Sequence, residues 1–97
     1  MRTEFHPEAD TEFAAQIEYY ERKESGLGKR FYREVIAYCE WIESNPEIPR
    51  LRRTYRRLNL KVFPFYLAYV VEGDLVWVLA VAHVRKKPGY WKRRLKS

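Results

Sequence analysis

RRLNLKVFPFYLAYVVEGDLVWVLAVAHVRKKPGYW, residues 56–91, holds two apolar runs either side of a short Glu72-Gly73-Asp74 turn, with basic residues crowded at both ends. Gly73 supplies the backbone angle that a tight hairpin needs, so the two runs are expected to pair. The second run, Leu75–Val84, is rich in valine and unbroken. It reads as a central strand, buried on one face and partly covered on the other. Simple alternation places Leu75, Trp77, Leu79, Val81 and His83 on one face of it. The first run, Phe65–Val71, is its partner. Before it, Leu58, Leu60 and Val62 alternate with Asn59 and Lys61 in the manner of a strand with one wet face, and Pro64 bends the chain between that strand and the next.

Upstream the period changes. Arg2–Phe5 is a short extended piece suited to a sheet edge, and His6-Pro7 breaks it. Ala9, Phe13, Ile17 and Tyr20 recur at helical steps, with Pro7 in the first turn and Glu8, Asp10 and Glu12 favourable to the helix dipole there. Ser25-Gly26-Leu27-Gly28 ends this helix, Gly26 being the expected residue just past its C-cap. A second helix carries Leu27 or Phe31, then Val35, Tyr38 and Ile42, with Trp41 at the margin of the stripe, until Asn45-Pro46 stops it. Neither helix can bury its stripe alone, so both must pack on the sheet. The expected fold is α+β: a short N-terminal strand and an antiparallel two-helix hairpin on a small, curved, mostly antiparallel sheet. It forms a single domain over 1–97 with a basic C-terminal segment, 85–97.

Charge divides along the same line. Residues 1–45 carry ten acids and six Lys/Arg, whereas residues 46–97 carry three acids and thirteen Lys/Arg. The positive potential therefore belongs to the strand half and the tail, and it suits nucleic acid or an acidic protein surface. The one cysteine, Cys39, excludes an internal disulfide and fits a reducing compartment. It falls in the second helical stripe and reads as a small buried side chain. No apolar run is long enough to cross a bilayer as a helix, and the N-terminus lacks a signal-peptide core, so a soluble, cytoplasmic protein is expected.

The second half holds only Glu47, Glu72 and Asp74 as acids, all in expected turns. That argues against paired-carboxylate glycosidase chemistry and two-metal nuclease chemistry. His6, His83 and Cys39 make no metal-ligand spacing, and no cofactor motif is present. Metal-free RNA cleavage needs only a proton donor and acceptor with cations opposite the phosphate. Lys61, His83, Arg85 and Tyr90, with Lys86 beside them, are the groups that could supply it. Contacts to a target or partner are expected from Arg52, Arg53, Arg56, Arg57 and Lys61 on one side. Arg85, Lys86, Lys87, Tyr90, Trp91, Arg93 and Arg94 supply the other. Tyr90 and Trp91 could stack bases; the plainer reading is that the ring pair folds the tail back onto the sheet.

Taken together, several segments resemble the RelE/ParE superfamily of bacterial toxins, in particular its ParE-like, plasmid-stabilisation branch. They are Pro7-Glu8-Ala9, Ile17-Glu18-Tyr19-Tyr20, Gly26-Leu27-Gly28-Lys29-Arg30-Phe31 and Ile42-Glu43-Ser44-Asn45-Pro46. The sheet half adds Phe63-Pro64-Phe65-Tyr66-Leu67-Ala68-Tyr69, Val78-Leu79-Ala80-Val81-Ala82-His83 and Arg85-Lys86-Lys87-Pro88-Gly89-Tyr90-Trp91. The resemblance implies two helices on a curved sheet and a toxin neutralised by a cognate antitoxin whose C-terminal part wraps it, the complex being oligomeric. ParE-like members inhibit DNA gyrase. RelE-like members cut messenger RNA in the ribosome with basic sheet residues and a C-terminal tyrosine or histidine, a role that would fall here near Arg85 and Tyr90, with Lys61 and Arg57 on the earlier strand. The Gly-Leu-Gly and Phe-Pro-Phe-Tyr segments look closer to the ParE branch.

Overall fold

The computed structural model describes residues 1–96. Its elements run β1 (Arg2–Phe5), α1 (Pro7–Lys23), α2 (Leu27–Ser44), β2 (Leu51–Arg52), β3 (Tyr55–Asn59), β4 (Phe65–Glu72) and β5 (Leu75–His83), closing with a 3-10 turn over Lys92–Lys96. The sheet order is β1-β5-β4-β3-β2. All pairings are antiparallel except β1 with β5, because the helical hairpin carries the chain across the sheet before β5 is laid down. The α+β architecture expected from the sequence is the one observed, with Arg2–Phe5 at the sheet edge.

Both helices cover one face. Phe13 of α1 and Phe31, Val35, Cys39 and Ile42 of α2 meet Phe65, Leu67 and Tyr69 of β4 and Val76, Val78 and Val81 of β5. The centre is aromatic: the Phe31 ring lies edge-on to Phe63 at 5.0 Å, and Tyr20 stands 5.1 Å from each. Such pairs add to the area they bury. His6 starts α1 by accepting the Glu8 N–H at Nδ1, 3.0 Å away.

Three local expectations need correction. Gly26 does not lie just past the end of α1: the extended backbone of Glu24 ends that helix, and Gly26, at φ +89°, stands at the N-cap of α2. The strand before Pro64 runs over Tyr55–Asn59 and pairs outward with a further two-residue strand, β2, that no alternation announced. Leu60 is buried but Val62 is 57% exposed, because the chain has already left the sheet for the bend before β4. The third concerns His83. Ala68 pairs with Ala80 and Tyr69 with Val78, so Leu79 is an inserted bulge residue. A bulge residue shifts the phase of every later side chain. Trp77 and Leu79 therefore belong to the face away from the helices, while Val81 and His83 lie on the helix side, His83 opposite Phe65.

The sheet's second face is closed by the tail. Trp91, 1% exposed, packs with Tyr66, Ala68, Leu79, Ala80 and Ala82. The alanines leave the depth that an indole fills. Its Nε1–H donates to the Tyr66 hydroxyl at 3.1 Å, and Tyr55 meets it edge-on at 4.6 Å.

Candidate functional site

The tail is held by α1. Tyr90 donates its hydroxyl to Glu12 at 2.7 Å, and the buried Arg94 donates to both Glu12 oxygens, at 3.0 and 2.8 Å, and to the Leu79 carbonyl at 2.9 Å. Arg93 pairs with Glu8 beside it. Burial, then the bond to Glu12, pushes the Tyr90 phenol well above its ordinary range. A phenol so placed is a poor general base at neutral pH. Trp91 and Arg94 are likewise committed to the fold. In sequence Glu8 and Glu12 signal only dipole-favouring acids; their partners lie 78 to 85 positions away, and no spacing signals such pairs.

The four groups considered for RNA cleavage are differently disposed. His83 sits on the helix face against Phe65, its Nδ1 accepting the Arg85 N–H at 3.0 Å. Tyr90 and Lys86 join His83, Glu12, Gln16, Phe65 and Val81 around a small hollow of about 110 Å³. Arg85 is exposed in the loop beyond, and Lys61 is exposed in the bend after β3, its N–H donating to the Tyr38 hydroxyl at 2.9 Å. Lys86 stands 4.9 Å from the Tyr90 ring centre, and Lys87 is exposed.

The arginines around β2 and β3 separate into two kinds. Arg56 donates to the Glu47 and Pro49 carbonyls at 3.2 and 2.8 Å, and Tyr69 beside it donates to the Pro46 carbonyl at 2.9 Å. Together they fasten the chain leaving α2 to the sheet. Burial pushes the Tyr69 phenol up to about 12, Arg56 pulling the other way. Arg52 and Arg53 are exposed, Arg53 at φ +57° at the head of the β2–β3 turn, where glycine would be unstrained. Arg57 lies on the other sheet face, its guanidinium 3.7 Å from the Tyr66 ring centre and its Nε–H donating to Asn59 at 2.9 Å.

Between α2 and β3 lies an open cleft of about 350 Å³ lined by Ala37, Tyr38, Trp41 and Leu58. Trp41 is 41% exposed there. β2 covers only Tyr55 and Arg56, so the outer edge of Arg57–Asn59 has no strand partner among the described residues. An open edge beside an apolar cleft can accept an extended chain. The sequence hint was Trp41 at the margin of its helical stripe, too large to leave unused and too far round to enter the core.

Among the described residues no cluster of side chains could hold a metal ion, and no helix is long and apolar enough to cross a membrane.

Two helices crossing one face of a five-stranded mixed sheet, closed on the other face by a basic tail, define a RelE/ParE-like fold. A chain described as "Chromosomal ParDE TA system from P. aeruginosa" superposes on 86% of this chain and 95% of its own length with a TM-score of 0.59, at 17% sequence identity. No functionally curated protein matches the sequence significantly. The family model for the ParE toxin of type II toxin-antitoxin systems, parDE, matches residues 3–88, and the chain belongs to that family. It is the toxin member of such a pair, and membership implies a cognate antitoxin and a cellular target.

Proposed function

We propose that this chain acts in the cytoplasm by binding DNA gyrase and blocking its action, and that a cognate antitoxin neutralises it in an oligomeric complex. The observation that carries the reading is the family match over residues 3–88, which falls on the ParE branch. The geometry supports action by binding: the Tyr90 phenol is tied to Glu12, and His83 is turned to the helix side. The α2–β3 cleft is the surface we assign to the antitoxin. Its apolar floor and open strand edge suit an extended segment that carries apolar residues, and the basic strand half of the chain favours acidic ones beside them, the segment being ordered as it binds.

Controlled expression of the chain in a bacterial host tests this, with plasmid supercoiling and messenger-RNA integrity read from the same cultures. Growth arrest with lost supercoiling and intact RNA is expected. Arrest with rapid, translation-dependent RNA cleavage would overturn the reading.

A further inference from the structure

We infer that the segment between α2 and β3, residues 46–54, is the arm with which the chain docks on its target, a reading that rests on gyrase being that target. The arm enters an apolar hollow rimmed by carboxylates on the folded partner. Ile48 and Leu51 are its anchors, and Arg50, Arg52 and Arg53 meet the rim.

The arm is fixed where its backbone meets the domain and bare where its side chains meet solvent. Arg56 donates to the Glu47 and Pro49 carbonyls at 3.2 and 2.8 Å, and Tyr69 donates to the Pro46 carbonyl at 2.9 Å. The outermost strand of the sheet, β2, is held in register by Leu51 opposite Arg56 and Arg52 opposite Tyr55. Yet residues 50–54 are all exposed, and Ile48 and Leu51 keep 70% and 53% of their surface in solvent. Aliphatic side chains on a backbone already ordered lose little freedom on docking and gain by the area they bury.

Arg53 is a second, independent mark. It takes φ +57° at the head of the β2–β3 turn, a conformation that suits glycine and strains a residue with a side chain. Among the described residues its guanidinium makes no hydrogen bond, ion pair or ring contact, so the fold gains nothing from it. A strained residue with no internal role points to an external one.

Charge and shape select the partner. The arm carries three arginines against one acid, Glu47, and among the described residues no carboxylate lies within ion-pair distance of any of the three. Carboxylates are their complement. Nucleic acid would satisfy the arginines but leave Ile48 and Leu51 in water, since it is rings that stack on bases. A disordered segment needs a groove to lie in, which the α2–β3 cleft supplies. An exposed arm at the sheet's edge needs a hollow in a partner that is already folded.

The test is binding to purified gyrase, with each full-chain variant competing against fluorescently labelled parent chain in an anisotropy assay, and duplex DNA as the alternative ligand. Ile48→Ser and Leu51→Ser should each weaken gyrase binding about tenfold. Arg52→Glu, which sets a carboxylate against the rim, should weaken it about a hundredfold. Arg53→Gly should weaken it several-fold while raising the melting temperature by a few degrees, because the turn relaxes. The more stable protein is then the weaker binder, a pairing that misfolding cannot produce. Parent-like affinity in folded Leu51→Ser, Arg52→Glu and Arg53→Gly would overturn the inference and leave the functional reading standing. Absence of gyrase binding by the folded parent would overturn both. Losses confined to the arginine variants and equal on duplex DNA would make the arm a polyanion contact and overturn the inference. So would a dimer of the parent chain that Leu51→Ser abolishes, which would assign the arm to a second copy.

Discussion

Tyr90 donates its phenolic hydrogen to Glu12 over 2.7 Å, and Arg94 grips the same carboxylate through two more bonds. Glu12 is therefore the point at which the tail closes the sheet. Glu12→Ala would take from Arg94, whose side chain is 5% exposed, both of its hydrogen bonds to this carboxylate. Removing one partner of a buried pair is costly, and a loss of about 3 kcal/mol is expected. Tyr90→Phe leaves the ion pair intact and should cost about 1 kcal/mol. Urea unfolding monitored by tryptophan fluorescence gives both values. Equal, negligible losses would mean that the tail is not held in this way.

Gly28 sets the distance between the helices. A Cβ there would come within 2.4 Å of the Ile17 carbonyl oxygen and 2.9 Å of Glu21 Cβ. The first obstacle is backbone, so the helices must part. Gly28→Ala should destabilise by about 2 kcal/mol. Gly26→Ala meets open space and suffers only from its φ of +89°, a cost of about 1 kcal/mol. The reverse ranking in thermal unfolding would contradict this packing.

Acid stability should depend on Glu21. It accepts the Gly26 and Gly28 N–H groups at 2.8 and 3.0 Å, and the bond from Gly26 chiefly holds its carboxyl below the usual range. Because the folded pKa is the lower one, its contribution is complete above the unfolded value of about 4.3 and is lost as pH falls through the folded value. Glu21→Gln should lower stability at pH 6 and flatten the decline below pH 4.5. Parallel curves for the two proteins would refute the assignment.

Cys39 is 4% exposed, and burial, reinforced by Glu43 and Glu40, pushes its thiol up to about 12. The thiolate is the reactive form. At pH 8 a disulfide reagent should label the folded chain only as fast as it opens, and label it promptly in denaturant. Rapid native labelling would show an accessible thiol.

Much of this was legible in the sequence because period and punctuation agreed. The valine-rich run, the Gly73 turn and the two helical stripes each specified a buried surface, and those surfaces fit one another. What escaped was either an inserted residue or a distant partner. Counting by twos along Leu75–Val84 cannot detect that Leu79 is a bulge, so it groups His83 with Trp77 and Leu79, from which the bulge separates it. Arg53 and the short β2 turn the chain without a glycine to mark them. The basic residues looked alike in sequence, yet Arg56 fastens a loop, Arg94 is buried on Glu12, and Arg57 is displayed on Tyr66. Only the three-dimensional neighbours separate those roles.

The central claim is that this ParE-family chain acts on gyrase by binding it. The most direct measurement is ATP-dependent supercoiling by purified gyrase with increasing amounts of the purified, folded chain. Dose-dependent loss of supercoiling is expected, with Tyr90→Phe as active as the parent because the phenol is a tether. Undiminished supercoiling with excess folded chain would contradict it.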